Sequence, residues 1–181
     1  MVAELLAGAV LSFPPPASQG LRQGADPERV GVTIPRRLRR MLHLPGLRAD
    51  GTCPVSRRHT VWKQFSSALG PGPAYPAIFD ERSTLHFGAA VFPSPWTGQK
   101  VLWIVGPSYR GPILIRGHQL GGSWWVGFDA RESDPWSEMH IRGTGEWLGY
   151  PSYTRVRGEG CYAYQVDGTS FSRIIVFSAA P

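Results

Sequence analysis

The stretch from Gly158 to Phe177 limits the fold of this chain more than any other. Gly158-Glu159-Gly160 leads into Cys161-Tyr162-Ala163-Tyr164-Gln165-Val166, then Asp167-Gly168, then a second run that closes on Arg173-Ile174-Ile175-Val176-Phe177. Alternation of large with small or polar residues places one face of an extended chain in a core, and an Asp-Gly step between two such runs marks a hairpin. Parity assigns Tyr162, Tyr164 and Val166 to the core and Cys161, Ala163 and Gln165 to the opposite face.

The rest of the chain from Cys53 onward follows the same plan. Glycine (22) and proline (17) interrupt it too often for long helices, while 12% aromatic residues favour strands. Seven to nine strands are expected, the candidates being Tyr75 to Phe79, Thr84 to Phe87, Lys100 to Val105, Ile113 to Gly117, Trp124 to Phe128, Glu138 to Ile141, Ser152 to Arg157, Cys161 to Val166 and Phe171 to Phe177. Lys100-Val101-Leu102-Trp103-Ile104-Val105 is apolar on both parities, so both its faces need cover. A strap carrying Trp62 and Phe65 is the candidate for the outer face. The spacing Gly158-x-Gly160-x-Tyr162 resembles the turn into the penultimate strand of an immunoglobulin-like domain, where a tyrosine corner forms. The expected fold is all-β: an immunoglobulin-like antiparallel β-sandwich of seven to nine strands with a largely irregular N-terminal tail.

Residues 1–50 divide from the sandwich at 51–181. Pro14-Pro15-Pro16, Gly20, Gly24, Pro27 and Pro35 break regular structure, and the segment reads as a flexible leader. Leu5 to Leu11 followed by Ala17-Ser18 has the look of a degenerate signal peptide plus linker, with Glu4 where a basic residue is expected. No run approaches the twenty or so apolar residues of a transmembrane helix. The net charge of +6 is concentrated in knots at Arg36, Arg37, Arg39 and Arg40 and at Arg57 and Arg58. A solvated basic segment is the favoured reading. Contact with nucleic acid or another anionic surface is the alternative, disfavoured because no stacking aromatics interleave with the arginines.

The cysteine pair, Cys53 and Cys161, carries a statement about compartment. In an exported chain an even pair implies a disulfide, and in the cytoplasm it implies two reduced thiols. The bridge is the favoured reading and would close a long loop, contributing roughly 4 to 5 kcal/mol. Neither cysteine has ligand spacing, so no metal and no cofactor are expected.

Catalytic signals are sparse. His43, His59, His86, His118 and His140 are scattered singly, and no Gly-x-Ser-x-Gly elbow occurs. No catalytic residue is assigned. The enzyme alternative would need His118, His140 and the acidic loop from Asp129 to Glu138 to meet in one pocket; solvated surface residues are the plainer account.

Aromatic and guanidinium side chains give the better lead. Tyr109, Arg110, Trp124, Trp125, Trp136, Trp147 and Tyr153 fall in or beside expected loops and strand ends and are the candidate ligand-binding residues. Trp124 and Trp125, if in one strand, point to opposite faces, so at least one leaves the core. Indole and phenol planes beside arginine donors suit sugar rings, an anionic glycan or a peptide. The competing account is that they pack beneath proline-rich loops.

Thr52-Cys53-Pro54-Val55-Ser56, Gly98 to Trp103, Tyr109 to Gly117 and Gly160-Cys161-Tyr162 together resemble an uncharacterised family of exported bacterial proteins. The resemblance spans roughly residues 52–178. It implies a C-terminal immunoglobulin-like sandwich and export, often behind lipoprotein-like leaders, and transfers no activity. The resulting expectation is a non-catalytic, secreted or envelope-associated structural or binding module whose partner is an envelope glycan or protein.

Overall fold

The structure is a computed structural model, described over residues 22–23, 32–61, 68–77, 80–88, 95–129 and 134–181. It is all-β. The strands are β1 (Arg22–Gln23), β2 (Arg58–His59), β3 (Ala68–Leu69), β4 (Ala74–Ala77), β5 (Thr84–His86), β6 (Thr97–Val105), β7 (Arg110–Gln119), β8 (Gly127–Phe128), β9 (Met139–Thr144), β10 (Leu148–Val156), β11 (Gly160–Gly168) and β12 (Ser172–Ala180). The nine candidate runs correspond to β4 through β12. Ile78, Phe79, Trp62 and Phe65 lie outside the described residues.

Two sheets form the body. One has the order β1-β10-β6-β4, with β8 also on β10; the other has the order β5-β12-β11-β7-β9. Pairing is antiparallel except where β1 meets β10 and β12 meets β5, which are parallel. β2 and β3 make a separate two-stranded ribbon.

The hairpin behaves as its alternation dictates. β11 pairs with β12 from Gly160↔Ala179 to Asp167↔Ser172, and its other edge pairs with β7. Tyr162, Tyr164 and Val166 enter the central core with Ile175 and Phe177, while Cys161 and Ala163 join a second apolar cluster on the outer face. The opposite sheet contributes Val101, Trp103, Val105, Phe128, Tyr150 and Val156 to the central core. Trp103 meets Tyr164 edge-on at 5.1 Å and Phe128 lies 6.2 Å from the same ring, so one tyrosine joins both layers. Its hydroxyl shares a 2.7 Å hydrogen bond with Thr154, which satisfies a polar atom that would otherwise be costly at that depth. Tyr162 donates its hydroxyl to the Gly158 carbonyl at 2.9 Å, four residues upstream.

Both faces of β6 are used. Val101, Trp103 and Val105 point into the central core, and Ile104 packs on the other side with Ala68 and Ala77, flanked by Val61, Tyr75, Leu102 and Trp147.

Residues 36–56 lie against the outer face of the second sheet. Pro35 precedes a single 3₁₀ turn, Arg36–Leu38, whose Leu38 is buried. Gln165 reaches across to this segment, accepting from the His43 amide at 2.8 Å and donating to the Met41 carbonyl at 3.0 Å. Ser56 exchanges two hydrogen bonds with the backbone of Val176. Cys53 and Cys161 are joined in a disulfide with a sequence separation of 108, and Leu44 packs beside it. The basic knot is paired here: Arg39 with Glu138, and Arg40 with Asp167 at 2.9 Å. No helix among the described residues is long and apolar enough to cross a membrane.

Candidate functional site

The register of β6 against β10 determines which side chains gather at one end of the sandwich. Thr97 pairs with Val156, so the residues just outside the pair, Trp96 and Arg157, emerge side by side. The chain before β8 adds Trp124 and Trp125. Trp125 is held by a bridge to His118 of β7, and Trp136 is bridged to Phe128 of β8. The strand expected to start at Trp124 begins only at Gly127, because the Trp125 bridge turns the chain from one sheet towards the other before β8 forms.

Arg157 is the hub. Its guanidinium lies 5.1 Å from the centroid of Trp96 and 4.1 Å from that of Trp124, a two-sided cation–π arrangement. Trp96 is buried, donates its indole N–H to Asp134 at 3.1 Å and packs on Trp125 with centroids 4.6 Å apart. Arg157 makes no ion pair with a carboxylate among the described residues, and its guanidinium is flanked by indole faces. Trp124 remains 41% exposed and Trp136 38% exposed, flanking the same short strand. Both indoles therefore present apolar surface to solvent.

A buried ion pair supports this end from below. Arg155 of β10 lies 3.5 Å from Asp129, and both side chains are sealed from solvent. Asp129 holds a φ of +104°, a backbone that residues other than glycine rarely adopt, where the chain leaves β8. Burial lowers the basicity of Arg155, and the Asp129 carboxylate opposes that.

The other sequence candidates separate. Tyr109 is only 5% exposed; its hydroxyl donates to the Pro112 carbonyl at 2.8 Å and its ring meets Phe171 edge-on, so it belongs to the core. Tyr109 lies in the loop just before β7 with its ring turned inward, where it borders the cleft lined by Ser108 and Phe171. Arg110 is exposed and lies over Gly145. Trp147 is half-buried against the outer side of β6, and Tyr153 is half-buried opposite Lys100. Only Trp124, Trp125 and Trp136 of the seven gather at the Arg157 end. Trp96 and Arg157 were not among the candidates: they are far apart in the chain, and only the β6–β10 register brings them together.

His118 and His140 do not share a site. His140 sits opposite Leu114 of β7, four residues from His118, which at strand rise is a separation of roughly 13 Å. His140 bonds Glu138 at 3.1 Å, and His118 Nδ1 contacts the Gln119 carbonyl at 2.9 Å. Among the described residues no group of three or more His, Cys, Asp or Glu is placed to hold a metal ion.

The chain matches no family model, no curated protein and no solved structure.

Proposed function

We propose that this protein is an exported or envelope-associated, non-catalytic binding module that holds saccharide rings against Trp124 and Trp136. The observation that carries the reading is the exposed Trp124 ring fixed by Arg157 at 4.1 Å. Stacking needs an aromatic plane that does not have to be ordered on binding, and a ring already clamped from behind meets that need. The guanidinium behind the plane also favours a ligand carrying acidic groups. The Cys53–Cys161 disulfide supports an oxidising compartment.

Two measurements test the reading. Soluble neutral and acidic polysaccharides titrated into the protein should perturb tryptophan fluorescence saturably, and Trp124→Ala should weaken the response about tenfold, the worth of one aromatic contact. Undiminished binding by both Trp124→Ala and Trp136→Ala, or no binding to any polysaccharide, would remove the proposal. Export is tested separately: alkylation before reduction, followed by mass spectrometry of protein from its native host, should leave Cys53 and Cys161 unmodified. Two alkylated thiols would place the chain in a reducing compartment.

A further inference from the structure

The opposite end of the sandwich carries a different surface. β6 spans nine residues, Thr97–Val105, so its two ends are roughly 27 Å apart at strand rise. At the Val105 end, the segment before β4, the β6–β7 connection and the β11–β12 turn border a shallow, open cleft of about 320 Å³. Its wall includes Pro73, Tyr75, Ser108, Ser170, Phe171 and Arg173. The volume is at the small end of ligand sites, room for one small molecule.

The chemistry of the wall is specific. Arg173 is exposed at the start of β12 and makes no ion pair among the described residues, so a guanidinium with its donors available borders the cleft. Ser108 and Ser170 supply hydroxyls that can donate or accept. Tyr75 lines the cleft beside Gly72, where a Cβ would fall 2.1 Å from its hydroxyl oxygen, so only glycine leaves that hydroxyl in place. Burial pushes the Tyr75 phenol up, which keeps it a donor at ordinary pH. Phe171 and Pro73 add flat apolar surface.

We infer that this cleft is a second binding site, for a small acidic sugar whose carboxylate pairs with Arg173. Its hydroxyls meet Ser108, Ser170 and Tyr75, and its ring faces Phe171 and Pro73. A planar guanidinium recognises carboxylate through paired N–H donors, and hydroxyl-bearing side chains between apolar planes match the alternating edges and faces of a sugar ring. A neutral sugar would leave Arg173 without its counter-charge, and a bare anion would leave the hydroxyls and ring faces without theirs. The site goes beyond the tryptophan end and does not depend on it.

The test uses the full, oxidised chain with D-glucuronate as probe, followed by calorimetry or by amide shifts, with D-glucose and inorganic phosphate in parallel. Glucuronate should bind saturably, and Arg173→Gln, at an exposed position, should weaken it at least about tenfold, as expected for loss of a charge-assisted pair. Glucose and phosphate should each bind more weakly than glucuronate, and the amide shifts lost in Arg173→Gln should map to Ser108, Ser170 and Phe171 around the cleft. Equal binding by Arg173→Gln, no saturable binding of glucuronate, or phosphate binding as tight as glucuronate would overturn the proposal. Loss of binding in Trp124→Ala with Arg173→Gln unaffected would overturn it too, by moving the ligand to the other end. Polysaccharide binding at Trp124 can fail while glucuronate binding at Arg173 stands, so the two readings are separable.

Discussion

Replacing Cys53 and Cys161 together by serine should lower the unfolding free energy by about 3 to 5 kcal/mol, read as a shift of the denaturant midpoint. The loop closed by the bridge has a sequence separation of 108, and the chain-entropy relation assigns about 4.7 kcal/mol to a loop near that length. Against a typical total of about 5 to 15 kcal/mol, that is a large share. Packing adds to it, since Cys161 is buried among Leu120, Ala163 and Val176, where a serine hydroxyl has no apolar place. The bridge joins the segment before the sandwich to the start of β11 on its outer face, so its loss should register in two ways. Amide exchange should accelerate first in residues 36–56, whose remaining anchors are the hydrogen bonds to Gln165 and Val176 and the ion pairs of Arg39 with Glu138 and Arg40 with Asp167. Global stability should fall as well, because the unfolded chain regains the freedom the loop denied it. A midpoint shift worth under about 1 kcal/mol, with exchange altered only in that segment, would show that the bridge restrains a local flap and not the fold.

What could be read from the sequence depended on whether the deciding physics was local. The alternating faces of the β11–β12 hairpin were legible, since period-two alternation is a property of neighbouring positions, but its turn falls at Thr169-Ser170, beyond the Asp167-Gly168 step that marked it; β6 was legible as a two-sided strand for the same reason. The disulfide was legible because two cysteines offer one pairing. Other features depend on contacts that no short window contains. Arg58 and His59 form β2 only because Leu69 and Ala68 lie opposite, and Thr84 to His86 run parallel to β12 because the tertiary fold places them there. The candidate site divides the same way. Trp124 and Trp136 stood out as aromatics near loops, whereas the pairing of Trp96 with Arg157 follows from Thr97 meeting Val156 across β6 and β10. Tyr109 looked the same as Trp124 in sequence and differs only in what surrounds it: Phe171, Thr169 and the Pro112 carbonyl enclose it.

Asp167→Asn should destabilise the protein by about 3 kcal/mol near neutral pH, the lower end of the cost of breaking a buried ion pair. Asp167 is fully buried at the end of β11 and accepts from four side chains: Ser172 at 2.7 Å, Arg40 at 2.9 Å, Gln165 at 2.9 Å and Arg116 at 3.0 Å. An asparagine keeps the size, removes the charge that holds two guanidiniums, and turns an N–H₂ towards donors. The lower end applies because the Arg116 and Arg40 side chains remain 16% and 34% exposed, so water recovers part of their solvation once the carboxylate is gone. Burial alone would push the Asp167 carboxyl up; the four donors outweigh it and hold the group below the usual aspartate range. A depressed folded value means the unfolded chain takes up the proton first as acid is added. The stabilisation is therefore complete above the ordinary aspartate value near pH 4 and is lost as pH falls through the lower folded value. Urea midpoints of the native protein and Asp167→Asn should differ most above about pH 5 and converge below about pH 4. Because Arg40 belongs to the segment tied by Cys53 and Arg116 to β7, the same substitution should speed exchange around residues 38–44. A constant gap between the two proteins across that pH range would show that the substitution acts through packing and that the carboxylate charge is not what holds the two arginines.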